Sequence, residues 1–144
     1  MKYLSRIVHF FLLIANEIRV ILSERVKELV TDPAIDTSYF LAPNLTNGRS
    51  YWVDSAKKFA IFWTSSEKWL LAPYDKLGLD EQNLLYNAQG KDSLPFHITK
   101  GWHFLDKNEK SWKSGSKDDI VVAKVHGNIF IFCANIFMRY STNE

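Results

Sequence analysis

From residue 38 onward, short runs of aromatic and branched residues alternate with polar turns, and this pattern restricts the fold more than any other feature. Runs that recur about every ten residues and carry Val, Ile, Tyr, Phe and Trp are typical of antiparallel strands. The expected turns are Asn47-Gly48, the loop 64–67, Gln89-Gly90, Lys100-Gly101 and His126-Gly127. No later stretch is long and periodic enough for a crossover helix, so a parallel sheet is not expected.

We therefore predict a mainly β protein: a small antiparallel meander, a sandwich or a partly open barrel, with an N-terminal helical or signal segment. The candidate strands are 38–41, 49–53, 59–64, 68–72, 84–87, 96–99, 102–105, 120–125 and 128–132. At most, residues 80–85 form one helical turn with Asp80 as its cap. His126-Gly127 is expected to turn the chain between the last two strands, because glycine accepts a positive φ.

The composition indicates one globular domain without a long linker. Of the 144 residues, 47% are hydrophobic and 24% charged, and only six are glycine and four proline. We interpret residues 1–15 as a signal peptide or the start of an amphipathic helix, 16–37 as a short helix and linker, and 38–140 as the β-rich module. The apolar tail 129–140 is either a buried strand or an appendage outside the core.

Two interpretations of the N-terminal segment stay open. Lys2 and Arg6 precede an apolar run that ends at Ala15, an order typical of a secretory signal cleaved after Ala15. The run is too short to span a bilayer, which needs roughly 18 apolar residues. The alternative is an uncleaved amphipathic helix over residues 3–31 that ends at Asp32-Pro33. Its apolar stripe comprises Leu4, Ile7, Phe11, Ile14, Ile18, Ile21, Leu22, Val26 and Leu29.

The same features bear on the compartment. Asn44-Leu45-Thr46 is an acceptor sequence for N-glycosylation, and the single cysteine, Cys133, excludes an internal disulfide framework. Together with the signal-like run, they favour a secreted glycoprotein, with an intracellular location as the alternative. Membrane contact is expected only if residues 3–31 stay attached as a helix.

Groups that could hold a metal ion are few. His97 and His103 would share a face if one strand ran through both, and His126 and Cys133 are the natural additions. The turn expected at Lys100-Gly101 separates the two histidines. We therefore expect no metal and no cofactor.

Catalytic groups are equally scarce. The apolar neighbours of Cys133 indicate an inert thiol rather than a nucleophile. The acidic pairs Asp80-Glu81 and Asp118-Asp119 lie in polar turns, which suits caps better than a general acid–base pair. We predict that the protein is not an enzyme.

The charge pattern argues against nucleic acid as a partner. The net charge is +2, and the lysines of segment 107–117 are offset by neighbouring acids. We interpret this segment as a solvated hairpin loop.

Five tryptophans dominate the predicted sheet: Trp52, Trp63, Trp69, Trp102 and Trp112. Because aromatic side chains of a sheet usually pack inward, most of them are expected in the core, with Trp112 the least core-like. If the module binds a ligand, the candidates are Tyr51, Tyr74, Tyr86 and Trp112. Such rings suit a protein or a carbohydrate ligand equally.

The order of these residues resembles a recurring eukaryotic module, a small tryptophan-rich β-sheet unit without an established activity. The matching pieces are Asn47-Gly48-Arg49-Ser50-Tyr51-Trp52, Ile61-Phe62-Trp63, Trp69-Leu70-Leu71, Leu77-Gly78, Asp92-Ser93-Leu94-Pro95, Gly101-Trp102, Trp112 and Ile120-Val121-Val122. Ser50 stands where the module has proline, and Leu94 separates Ser93 from Pro95. The resemblance covers residues 47–122 and implies a non-catalytic module in which Trp63, Trp69 and Trp102 are framework residues.

The sequence therefore predicts a non-catalytic, secreted β-sheet module that serves as a binding or structural unit. The alternative is an intracellular interaction subunit that docks through the uncleaved N-terminal helix.

Overall fold

The computed structural model describes residues 15–81, 84–91 and 93–125. Within them the strands are β1 (Glu17–Leu22), β2 (Ser38–Thr46), β3 (Arg49–Asp54), β4 (Phe59–Trp63), β5 (Trp69–Pro73), β6 (Leu85–Asn87), β7 (Trp102–Asp106), β8 (Ser111–Ser114) and β9 (Ile120–Lys124). One α-helix, α1 (Glu24–Leu29), and the 3₁₀ turns Pro33–Ile35, Tyr74–Lys76 and Pro95–His97 complete this part of the chain. The predicted mainly β, antiparallel fold is confirmed, in the form of a single curled half-barrel sheet.

The sheet order explains why the sheet curls. From β2 to β8 each strand pairs with the next along the chain, while β9 returns to pair with β1, so β8 and β9 are the two edges of the sheet that the described residues form. Residues 115–119, which connect these edges, can span at most about 22 Å. In a flat sheet, eight strand spacings would separate the edges by about 38 Å. The short connection therefore requires a strongly curved sheet.

Contacts of α1 hold the two sides of the half-barrel together. The hydroxyl of Ser23, the N-cap of α1, donates to Asp119 Oδ1 at 2.8 Å, and Arg25 donates to Asp119 Oδ2 at 2.5 Å. At the other end of α1, the Lys107 N–H donates to Leu29 O at 2.8 Å. We call Ser23, Arg25 and Asp119 the Asp119 cluster; it joins the start of α1 to the loop between the two edge strands.

The inner, concave face of the sheet holds the main core. Its large buried side chains include Tyr39, Trp52, Trp69, Trp102 and Phe104. Trp63 also belongs to this core and is 6% exposed, so four of the five tryptophans are buried. This result confirms the expectation that most of the tryptophans are core residues.

A second apolar cluster lies on the outer face and buries β4 and β5 on both sides. It comprises Tyr51, Ala60, Phe62, Leu70 and Ala72, with Tyr74, Leu77 and Tyr86 packed against it. Backbone contacts hold segment 74–81 against this face: Tyr74 N donates to Lys58 O at 2.9 Å, and Gly78 O accepts from Asn47 Nδ2 at 3.2 Å. The second cluster therefore buries part of the outer face of the sheet around β3–β5.

The segment 16–37 differs from the prediction. Glu17–Leu22 is a strand within the sheet rather than helix or linker, and only Glu24–Leu29 is α-helical, so one continuous helix over 3–31 is wrong. Ile18, Val20 and Leu22 point inward at a period of two, and β1 pairs with β2 and β9 on either side. Across the described residues, no helix has both the length and the hydropathy that a bilayer crossing requires. Residues 1–14, which carry the signal-like run, lie outside the described residues.

Two further predictions are wrong. Residues 96–99 do not form a strand, because Pro95 begins the 3₁₀ turn Pro95–His97. The loop expected over 107–117 is shorter, since Ser111–Ser114 forms β8 and only the turn at Lys107–Lys110 remains before it. The turn at Asn47-Gly48 is confirmed, with both residues at positive φ. Candidate strand 128–132, the turn His126-Gly127 and the tail 129–140 lie outside the described residues, as do Gln82 and Asn83 of the candidate helical turn 80–85.

Candidate functional site

Aromatic side chains pack on one another in the described part of the half-barrel interior. At one end the Arg49 guanidinium lies 3.8 Å over the Trp63 ring, and Trp63 meets Trp69 edge-on at 5.4 Å. Arg49 also donates to Lys91 O at 2.6 Å, which fixes the cation over the ring. The candidate binding residues lie instead on the outer face.

A cleft of ≈ 410 Å³ opens on the outer face beside β2 and β3. We call it the outer cleft; Phe40, Tyr51 and Tyr74 contribute its rings, and Asn44, Ser55 and Lys57 contribute polar groups. Its volume falls within the range of ligand pockets, about 300–1,000 Å³. The outer cleft therefore unites two of the predicted binding residues, Tyr51 and Tyr74.

A β-bulge in β2 shapes the outer cleft. Leu41 pairs with Trp52 and Leu45 with Ser50, so three residues of β2 stand opposite the single residue Tyr51. Pro43 lies in this irregular stretch, where the missing N–H of proline breaks the ladder. The Tyr51 hydroxyl donates to Asn44 Oδ1 at 2.5 Å and holds the bulged strand in place.

The side chains around the outer cleft differ in how free they are to contact a ligand. Phe40 is 43% exposed, whereas Tyr51 is 5% exposed and presents little more than its edge. Asp54 Oδ1 accepts the backbone N–H groups of Lys58 and Phe59, both at 2.7 Å, and so organises the turn between β3 and β4. Phe40 and the half-buried Tyr74 are therefore the main apolar contacts that the outer cleft offers.

The other two predicted binding residues meet elsewhere on the outer face. Tyr86 stacks on His103 with ring centroids 4.6 Å apart, and Trp112 meets Tyr86 edge-on at 4.8 Å. The Lys68 ammonium lies 5.8 Å from the centre of the Tyr86 ring. We call Tyr86, His103 and Trp112 the aromatic trio; cross-strand pairing on β6, β7 and β8 assembles it.

Sequence reasoning missed Phe40 and His103 as members of these two sites. Phe40 stands between Tyr39 and Leu41, so strand alternation alone predicted that it faces away from the core. His103 likewise stands between the buried Trp102 and Phe104. Strand alternation therefore indicates that both residues point away from the core, but it does not show which residues of other strands lie beside them.

Asn44, the candidate glycosylation residue, is exposed on the rim of the outer cleft. It belongs to β2 rather than to a turn, and its amide oxygen is the acceptor for Tyr51.

The histidines considered for a metal site are separated. His97 lies in the 3₁₀ turn Pro95–His97 and packs edge-on against Phe96, whereas His103 stacks within the aromatic trio. Across residues 15–81, 84–91 and 93–125, no three His, Cys, Asp or Glu side chains are grouped to hold a metal ion. His126 and Cys133 lie outside this part of the chain.

The acidic residue Asp119 has a structural role. Hydrogen bonds from the Arg25 guanidinium and the Ser116 N–H lower the pKa of the Asp119 carboxyl far below its usual range. A carboxylate held ionised by these donors is unsuited to accept or deliver a proton near neutral pH.

The fold and the two sites define an all-β half-barrel with an aromatic core on its inner face and an aromatic-lined cleft on its outer face. Comparison with protein-family models, curated proteins and solved structures finds nothing that matches the chain.

Proposed function

We propose that the protein is a non-catalytic β-sheet module that binds a partner through the outer cleft. The observation that carries this proposal is the meeting of Phe40, Tyr51 and Tyr74 with the Asn44 amide and the Lys57 side chain in one cleft. The second apolar cluster packs Tyr51 and Tyr74, and the Tyr51 hydroxyl holds Asn44, so this part of the cleft is preorganised and loses less entropy on binding.

The lining suits a saccharide. The C–H face of a sugar ring packs on an aromatic ring, and its hydroxyl groups pair with amide and ammonium groups. Phe40 and Tyr74 supply the rings, while Asn44 and Lys57 supply the polar partners. The same groups suit a protein side chain, so a protein ligand is the alternative that the experiment distinguishes.

The proposal that the module is non-catalytic is supported by the chemistry of the lining. Among the described residues that line the outer cleft there is no histidine or cysteine, and its carboxylate, Asp54, is engaged by backbone N–H groups. The resemblance to the tryptophan-rich module supports the same proposal, because Trp63, Trp69 and Trp102 are all buried.

Secretion and glycosylation remain part of this proposal. They are supported by the signal-like run before residue 15 and by the exposure of Asn44, and a glycan on the Asn44 amide would compete with a ligand at the rim of the outer cleft. The alternative of docking through a helix over 3–31 loses its basis, since Glu17–Leu22 is a strand.

A titration of the full-length, isotope-labelled protein with a panel of neutral oligosaccharides tests the function. We expect NMR shift changes at Phe40, Asn44 and Tyr74, and an affinity about tenfold lower in Tyr74→Ala because a ring contact is lost. Tyr86→Ala in the aromatic trio is the matched control and should bind as the parent does. Binding should survive a chelator and moderate salt.

Two results would contradict this assignment. Shift changes confined to Tyr86 and Trp112 would move the ligand to the aromatic trio. If no oligosaccharide binds, a photo-crosslinking residue in place of Phe40 tests the protein alternative. Crosslinking to a discrete partner that is lost in Tyr74→Ala would identify a protein ligand.

A further inference from the structure

The polar side chains of the outer cleft offer a ligand mainly hydrogen-bond donors. The amide oxygen of Asn44 accepts the Tyr51 hydroxyl at 2.5 Å, which leaves the Asn44 Nδ2 group as the free end of this amide. An amide NH₂ group donates hydrogen bonds and does not accept them. A ligand atom that binds this amide at the rim of the cleft is therefore an acceptor.

The carboxylate that lines the outer cleft contributes little as an acceptor. Asp54 is only 8% exposed, and its Oδ1 already accepts the backbone N–H groups of Lys58 and Phe59, both at 2.7 Å. These two donors also offset part of the negative charge of the carboxylate. The charged group that the cleft presents to solvent is therefore the ammonium group of Lys57.

Lys57 is exposed in the turn between β3 and β4, and it forms no ion pair within the described part of the chain. Its neighbour Lys58, by contrast, pairs with Asp32 at 3.3 Å. The Lys57 backbone is held in place, because its N–H donates to Asp54 O at 3.0 Å. Its φ of +52° lies in the left-handed region, where glycine or asparagine is more favourable, so the turn itself gives no reason for a lysine here.

The two free donors are anchored at different points along β3. Asn44 is held beside Tyr51, whereas Lys57 follows Asp54, the last residue of β3. Three residues of a strand span about 10 Å. Phe40, which pairs with the residue before Asp54, lies between these two points. The cleft therefore presents an aromatic contact between an amide donor and an ammonium group.

We infer that the outer cleft takes an acidic saccharide, with the carboxylate of one sugar residue at the Lys57 ammonium group. This inference rests on the proposed function and narrows its ligand class. A carboxylate accepts a charge-assisted hydrogen bond from the ammonium group, and such a bond is stronger than one to a neutral hydroxyl. The sugar rings pack on Phe40 and Tyr74, while a hydroxyl or ring oxygen accepts from Asn44 Nδ2.

Oligosaccharide pairs that differ only in charge test the inference. The probes are short oligomers of galacturonate, glucuronate and mannuronate, each as the free acid and as its methyl ester. Calorimetry measures their binding to the full chain made in a bacterial host, which leaves Asn44 without a glycan. We expect at least one acid to bind about fivefold more tightly than its ester, the gain of an exposed ion pair. Added salt should reduce this difference and leave the affinity of the ester unchanged.

Three lysine variants provide the matched comparison. Lys57→Gln keeps a polar side chain of similar reach and should bind the acid and the ester equally. Lys57→Glu reverses the charge and should bind the ester more tightly than the acid. Lys58→Gln is the control: it removes a neighbouring lysine that does not line the cleft, and it should keep the fivefold preference.

Three results would overturn the inference: equal affinities for acid and ester in the parent chain, a preference for the acid that persists in Lys57→Gln, or an equal loss of preference in Lys57→Gln and Lys58→Gln. The proposed function survives each of them if the esters bind and Tyr74→Ala weakens that binding. If no acid and no ester binds, the inference fails together with the saccharide assignment on which it rests.

Discussion

The Trp52 side chain joins three parts of the chain that are distant in sequence. Its Nε1 donates to Ala15 O at 2.7 Å, and its ring contacts Trp69 of β5 and, edge-on, Phe96 of the 3₁₀ turn Pro95–His97. Trp102 is buried to a similar degree, yet its Nε1 has no hydrogen-bond partner among the described residues. The two indoles therefore differ mainly in one hydrogen bond.

This difference leads to a prediction about stability. Trp52→Phe removes the donor to the Ala15 carbonyl, whereas Trp102→Phe removes an N–H that has no partner among the described residues. We expect Trp52→Phe to lower the free energy of unfolding by roughly 1–3 kcal/mol more than Trp102→Phe does. Urea denaturation of both variants measures the difference, and equal losses would show that the Ala15 contact contributes nothing.

The first strand shows how the N-terminal segment is built into the sheet. β1 lies between β2 and β9, and the contacts with β2 continue before it, because Leu41 N donates to Asn16 O at 2.7 Å. Ala15 itself is fully buried in the main core. The residues on both sides of the predicted cleavage point are therefore part of the folded structure.

We accordingly predict that a mature chain retains Ala15. Cleavage after Ala15 would leave Trp52 Nε1 without its acceptor and place a new ammonium group at Asn16 beside the core. A chain beginning at Asn16 should be less stable by about 1–3 kcal/mol than one beginning at Ala15. Mass spectrometry of protein from secreting cells locates the N-terminus, and a stable product beginning at Asn16 would refute this prediction.

The closure of the half-barrel depends on charge as well as on packing. The Asp119 cluster ties the loop between the two edge strands to the start of α1. The carboxyl of Asp106, the last residue of β7, accepts the N–H groups of Glu109 and Asn108, and these bonds lower its pKa below the usual range. Both carboxyl groups are thus held ionised in the folded state.

The pH dependence of stability follows from these two carboxylates. Because their pKa values are lower when folded than when unfolded, their stabilisation is complete above the unfolded value of about 3.9 and is lost as the pH falls below it. We expect the free energy of unfolding to decrease below about pH 4, and Asp119→Asn to reduce that decrease. Asp118→Asn, an exposed neighbour, is the control for acid titrations of unfolding. An unchanged slope in Asp119→Asn would contradict the role of the Asp119 cluster.

The predictable part of the fold is the part encoded by local patterns. The strand Phe59–Trp63 and the turn at Asn47-Gly48 were recognisable because β propensity and positive φ are properties of a few adjacent residues. Glu17–Leu22 was not, since its apolar residues fit a helical spacing as well as a strand one. This segment is a strand because it pairs with β2 on one side and with β9 on the other.

The sequence predicted candidate binding residues, but it did not predict where on the sheet they lie. Alternation along the strands marks Tyr51 and Tyr86 as aromatic residues of the sheet, whereas their separation into the outer cleft and the aromatic trio depends on which strands are neighbours.

The amino-acid order alone indicates a mainly β chain with an aromatic core. It does so because side chains of a strand alternate between its two faces, and consecutive residues show this alternation. The curvature, the aromatic core of the inner face and the outer cleft emerge only when β9 returns to β1 and segment 74–81 covers the outer face. Contacts between residues far apart in the chain leave no periodic trace in the sequence, so only the assembled sheet determines them.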